Sequence, residues 1–124
     1  KTVVWFRLKT SLSETEYKLF VYQIMENFLK HNNPNIHENS LREFSTRDGK
    51  NYWNIPNIKI KEKYIHRCRM YYFNEKETNY NQRTIVFENY FNPFDLELMS
   101  DAFEEFLILN NISYQKRIIK YNKQ

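Results

Sequence analysis

The sequence predicts an α+β domain: one sheet of four strands with two helices packed on one face. Three observations predict it. Residues 2–9 alternate apolar side chains with a period of two, as a half-buried strand requires. Two later stretches, around residues 13–33 and 92–110, carry apolar residues at helical spacing between start and stop signals. Between those helices, and again after the second, shorter alternating runs are separated by polar links, the pattern of strands and a hairpin. With 124 residues, 41% hydrophobic and 18% aromatic, the chain has apolar surface enough for a core. A disordered reading therefore fails, and one domain over residues 1–124 is expected.

The elements follow in order. Val4, Phe6 and Leu8 form one phase of the first strand, and Val3, Trp5, Arg7 and Lys9 the other. Ser13 with Glu16 makes a capping-box pattern that opens the first helix. Tyr17, Phe20, Val21, Ile24 and Phe28 are its stripe, and Asn33-Pro34 stops it. Residues 35–54 are polar, hold the only glycine and show no sustained period, so they read as a long loop or insertion after the first helix, with Tyr52 and Trp53 folding back onto the core. Pro56 precedes a basic run, Ile58-Lys59-Ile60-Lys61-Glu62-Lys63, which leads into a second strand at residues 64–73. A polar link at 74–81 separates it from a third strand at 82–91, so residues 58–84 are expected to form an extended hairpin. Asn92-Pro93 starts the second helix, with Pro suited to its first turn and Asp95 to its positive end. Met99, Ala102, Phe103, Phe106 and Leu107 are its inner stripe, and Asn110-Asn111 ends it because Asn tolerates the left-handed conformation. Residues 112–121 alternate as the last strand. The order β-α-β-β-α-β is that of the split βαβ, or ferredoxin-like, plait.

Several function classes are excluded by residue type. A lone cysteine, Cys68, forms no internal disulfide, and no Cys/His cluster has zinc-ligand spacing, so no metal is expected. No apolar run approaches the ~20 residues of a membrane span, and no signal-peptide core follows a basic start, so neither membrane insertion nor secretion is expected. A single glycine leaves no glycine-rich phosphate loop. His31, His37 and His66 lack the partners of a triad or metal site, and His66 with Cys68 reads as a packed imidazole beside a buried thiol. No enzyme, no cofactor and no small-molecule substrate are expected. Met70-Tyr71-Tyr72-Phe73 supplies the rings of an RNA-recognition sheet without its glycines, and core packing explains them equally well.

The formal charge of +4 conceals a separation of sign. Residues 1–12 carry +3, residues 59–69 carry +4 and residues 112–124 carry +4, whereas the second helix carries −5. Lysine on strand edges attracts phosphate, but it also guards edges against aggregation, so charge alone leaves both readings open. Arg67 and Arg69, two apart and so on one face of a strand, favour the phosphate reading, because planar guanidinium forks grip phosphates. Asn, Lys, Ile, Tyr and Phe dominate the composition. These residues have A/T-rich codons, which points to an organelle or an AT-rich genome.

Short motifs in this order resemble a known family. Phe6-Arg7-Leu8-Lys9 leads into the helix from Ser13; Ile55-Pro56 is followed by Glu62-Lys63-Tyr64; Tyr80, two spacers and Arg83-Thr84 mark the returning strand; Asn92-Pro93 and an Ile-rich closing strand complete the series. Together they resemble the tenth protein of the small ribosomal subunit, the S-ten family. The resemblance covers nearly the whole chain in element order and only short motifs in identity. Where the family continues with a basic cluster after its Arg-Thr pair, this chain has Ile85, Val86 and Phe87, and the basic turn ending the second strand is replaced around residues 67–72. Residues 35–54 are longer than the family's connection. Fewer cations and an added segment suit a ribosome in which protein has replaced some RNA, so the resemblance implies a mitochondrial form.

The resemblance implies a non-catalytic constituent of the small-subunit head, its plait packed on neighbouring ribosomal proteins and its 58–84 hairpin reaching into small-subunit rRNA. Lys59, Lys61, Lys63, Arg67 and Arg69 would neutralise phosphates, and Tyr80 and Arg83 would sit near RNA on the returning strand. A free-standing nucleic-acid- or protein-binding adaptor is the alternative, and a small enzyme on the same plait a more distant one.

Overall fold

The computed structural model describes residues 2–8, 14–33, 43–45, 51–55, 58–60, 62–65, 68–77, 80–89 and 92–120. Among them the elements run β1 (Thr2–Leu8), α1 (Glu14–Asn32), β2 (Glu43–Ser45), β3 (Asn51–Ile55), β4 (Ile58–Ile60), β5 (Lys63–Ile65), β6 (Cys68–Glu77), β7 (Tyr80–Glu88), α2 (Pro93–Leu109) and β8 (Tyr114–Lys120). The chain is α+β. Four long strands form an antiparallel sheet in the order β8-β1-β7-β6, and β3 and β2 extend it beyond β6.

Alternation on β1 decides what the sheet buries. Val4, Phe6 and Leu8 lie on the face that both helices cover, together with Ile85 and Phe87 of β7 and Met70 of β6. From α1 come Val21, Ile24, Met25, Phe28 and Leu29, and from α2 Leu96, Met99, Phe103 and Leu107. The centre is aromatic. Phe103 meets Phe6 at 5.2 Å, Phe28 at 5.3 Å and Phe87 at 4.9 Å between ring centroids, so both helices and both central strands converge on one ring. The other phase of the sheet holds a smaller cluster, Val3, Tyr71 and Val86, with Trp5 and Ile119 packed against it.

Helix α2 begins and ends where its sequence signals stand. The Asn92 side chain accepts from the backbone N–H groups of Phe94 and Asp95, and Pro93 occupies the first turn. At the other end Asn111 is left-handed at φ 56°, and the N–H groups of Ile112 and Asn111 donate to the carbonyls of Leu107 and Ile108. This is the paired closure of a Schellman motif, which satisfies carbonyls the helix itself cannot. The capping pattern at Ser13 lies outside the described residues.

Two expectations change. Residues 35–54 are not all loop: β2 lies within them and β3 begins there, and β3 pairs with β6 from Asn51 opposite Tyr72 to Ile55 opposite Cys68. Strands of three and five residues are too short to show a period, and neighbouring strands rather than local pattern hold them. Nor are residues 58–84 one hairpin. They divide into the β4–β5 pair and the longer β6–β7 pair. The cause is apolar anchoring: Ile60 and Ile65 are fully buried in the main core and draw the first pair against the body. The turn between β4 and β5 contains Glu62 in the left-handed region at φ 70°.

Candidate nucleic-acid interface

Strand register decides which of the expected cations can act together. Helix α1 runs back along the sheet from the Leu8 end of β1, so its last turn lies at the end holding Thr2, Glu88 and Cys68. The β4–β5 pair is fixed at that end by a side-chain bracket. Asn33 Nδ2 donates to the Lys59 carbonyl at 3.1 Å, and the Lys59 N–H donates to Asn33 Oδ1 at 3.0 Å. The amide thus imitates a neighbouring strand. Lys59 and Lys63 remain exposed on this anchored pair. Lys61 and Arg67 lie outside the described residues.

The bracket has a testable consequence. Asn33→Ala is expected to cost roughly 1 kcal/mol, since each hydrogen bond contributes about 0.5–1.5 kcal/mol net and both are solvent-exposed. The loss should concentrate on β4. Amide hydrogen exchange at Lys59 and Ile60 is the measurement, and unchanged exchange there would count against the bracket.

The β6–β7 pair points the other way. It keeps its register from Arg69 opposite Glu88 to Glu77 opposite Tyr80. β1 leaves it at Leu8 opposite Arg83, and β3 at Asn51 opposite Tyr72. Among the described residues, 75–77 and 80–82 therefore pair only with each other, past the last partners of β1 and β3. At about 3.4 Å per residue, Tyr80 stands roughly 27 Å along the strand from Glu88. Arg83 and Tyr80 thus lie at the end of the sheet opposite Lys59 and Lys63. The expected residues do not form one patch. The tip itself, with Glu75, Lys76 and Glu77, carries no positive excess.

Arg69 has a different partner from the one expected. Its guanidinium lies 3.7 Å from the carboxylate of Glu88, which is 2% exposed. A buried carboxylate needs a counter-charge more than a surface phosphate does, so Arg69 is first a structural cation. Beside it Cys68 is buried, and its thiol approaches the Glu88 carbonyl. Burial, with the negative charges of Asp95 and Glu88 adding to it, pushes the thiol far above its ordinary range and keeps it protonated.

The closing strand also uses part of its charge internally. Lys116 reaches Glu104 at 3.1 Å and Asp101 at 3.4 Å, over the Phe6 ring, and Tyr114 donates to Glu104 at 2.7 Å. This clamp ties β8 to α2. Burial would raise the Glu104 carboxyl, but the hydrogen bonds from Tyr114 and Lys116 and the charge of Lys116 outweigh it and lower the value. The bond to Glu104, aided by burial, pushes the Tyr114 phenol up to about 12. Glu104's contribution is therefore full above the ordinary glutamate value of ~4.3 and disappears as pH falls through the lowered one. Tyr114's is full below ~10 and disappears as pH rises from there through the raised value. In an alkaline absorbance titration, the tyrosine missing from Tyr114→Phe should be one that ionises late; ionisation at the ordinary tyrosine value would refute the clamp.

Sequence reasoning did not single out Arg7 and Arg117. Both lie in the phase of Trp5 and Tyr71, on the face opposite the helices: Arg117 stands opposite Trp5, and Arg7 opposite Gln115 and Thr84. Arg117 is exposed and Arg7 half-buried. The signal was available in the odd phase of β1 and β8, where arginine and aromatic residues coincide. Among the described residues, no group of three or more His, Cys, Asp or Glu could hold a metal, and no helix is long and apolar enough to cross a membrane. Compared with models of known families, with curated proteins and with solved structures, the chain matches none.

Proposed function

We propose that the chain is a non-catalytic structural constituent of the small ribosomal subunit, of the S-ten kind, binding rRNA and neighbouring proteins in the subunit head of a mitochondrial ribosome. The observation that carries this reading is the β6–β7 ladder, which among the described residues runs on past the last partners of both β1 and β3 on a helix-covered sheet. The strand order β8-β1-β7-β6 supports a ferredoxin-like plait, since it is the order a split βαβ produces when its hairpin strand inserts beside the first. The bias toward residues with A/T-rich codons supports the organellar assignment.

Separation of the cations adds a physical reason for a particle rather than a free adaptor. Lys59 and Lys63 at one end and Arg83 at the other cannot grip one short strand in a single groove. They suit RNA that passes the protein on more than one side. Phosphate contacts would position the chain, and the tip, which carries no positive excess, would fit by shape.

The test is co-sedimentation of the tagged full chain with small-subunit particles in high salt. Retention with the particles is the expected result. Sedimentation only as a small free protein would overturn the reading.

A further inference from the structure

The second helix is apolar on two sides. Its inner side supplies Leu96, Met99, Ala102, Phe103 and Leu107 to the core. On the outer side Phe94 is 78% exposed, Ile108 60% and Leu109 68%, with Leu98 half-buried between them. At 100° per residue, Phe94, Leu98, Asp101, Glu105, Ile108 and Leu109 fall within a sector of about 100°, and the line from Phe94 to Leu109 is roughly 22 Å long. Ile118, 61% exposed, adds apolar surface on β8, the strand that Lys116 clamps to this helix.

The charge on this face selects its occupant. Residues 93–109 contain five carboxylates and no lysine or arginine. Glu97, Asp101 and Glu105 follow one another at four-residue spacing, where like charges repel, and Lys116 of β8 offsets the charge of Asp101. A second copy meeting it through the same face would set acid against acid. A polynucleotide or an anionic lipid surface would be repelled for the same reason. A cation-bearing apolar surface relieves the repulsion and covers the exposed rings and branched chains in one step.

We propose that the outer face of α2 docks a lysine- or arginine-rich amphipathic segment of another protein. This deepens the reading above by giving its protein partner a surface and a chemistry, and it needs no RNA. Binding of the full chain to a fluorescent synthetic helix of leucine and lysine, about five turns long, is the test. Binding is expected, and Ile108→Lys and Glu97→Lys should each weaken it at least about tenfold without altering far-UV circular dichroism or the thermal midpoint. Equal binding of the same helix with glutamate for lysine, equal binding of oligolysine, or unchanged affinity in Ile108→Lys would overturn the proposal. A dimer of the chain alone that Ile108→Lys dissolves would assign the face to a second copy and overturn it too. Lys59→Glu with Lys63→Glu should leave peptide binding unchanged, which separates failure here from failure of the rRNA reading.

Discussion

Phe103→Ala is expected to remove a large share of the stability of the protein, about 3–5 kcal/mol. The ring is fully buried and touches Phe6, Phe28 and Phe87, so its loss opens a cavity where β1, α1, β7 and α2 meet. Three of those contacts are edge-on or tilted ring pairs, which add roughly 0.5–1.5 kcal/mol each beyond burial. Domains of this size are stable by only about 5–15 kcal/mol. The urea midpoint should fall steeply. Phe94→Ala on the same helix is the control. That ring is 78% exposed, and its removal should change stability by no more than about 0.5 kcal/mol. A loss below about 1 kcal/mol for Phe103→Ala would mean that the aromatic centre is not where the fold is held.

The second large effect is on binding. Lys59→Glu with Lys63→Glu is expected to leave the urea midpoint unchanged, because both side chains are exposed and the β4–β5 pair is anchored by Ile60, Ile65 and the Asn33 bracket. Retention with small-subunit particles should fall sharply. For isolated rRNA, each lost phosphate contact lowers the slope of log affinity against log salt by about 0.7–0.9, so the pair should lower it by about 1.4–1.8. The same change on the clamped lysine, Lys116→Glu, should act instead through stability, since that cation serves Glu104 and Asp101. An unchanged salt slope with unchanged retention would remove Lys59 and Lys63 from the interface.

Legibility in the sequence follows the range of the interactions. Helix α2 was readable at both ends because its caps are local: Asn92 bonds residues two and three further on, and Asn111 closes the last turn. β1 was readable because one face of a sheet imposes a period of two. The strands within residues 35–54 were not, since β3 is held by β6 and carries no pattern of its own. The basic run at residues 58–63 was read as a projecting finger because its lysines are conspicuous. Ile60 and Ile65, fully buried in the main core, decide its position instead.

The same division applies to the candidate site. The residues alone determined which side chains carry positive charge, which segments alternate, and that two helices and a set of strands share an aromatic core. Only tertiary structure decided which cations remain available. Glu88 lies nineteen residues from Arg69, and Glu104 twelve from Lys116, yet each pair meets, and each arginine or lysine so engaged already has an internal carboxylate partner. Burial of a carboxylate depends on the whole packed sheet, and a counter-charge is drawn to wherever that burial is least compensated. Local pattern contains no measure of that demand.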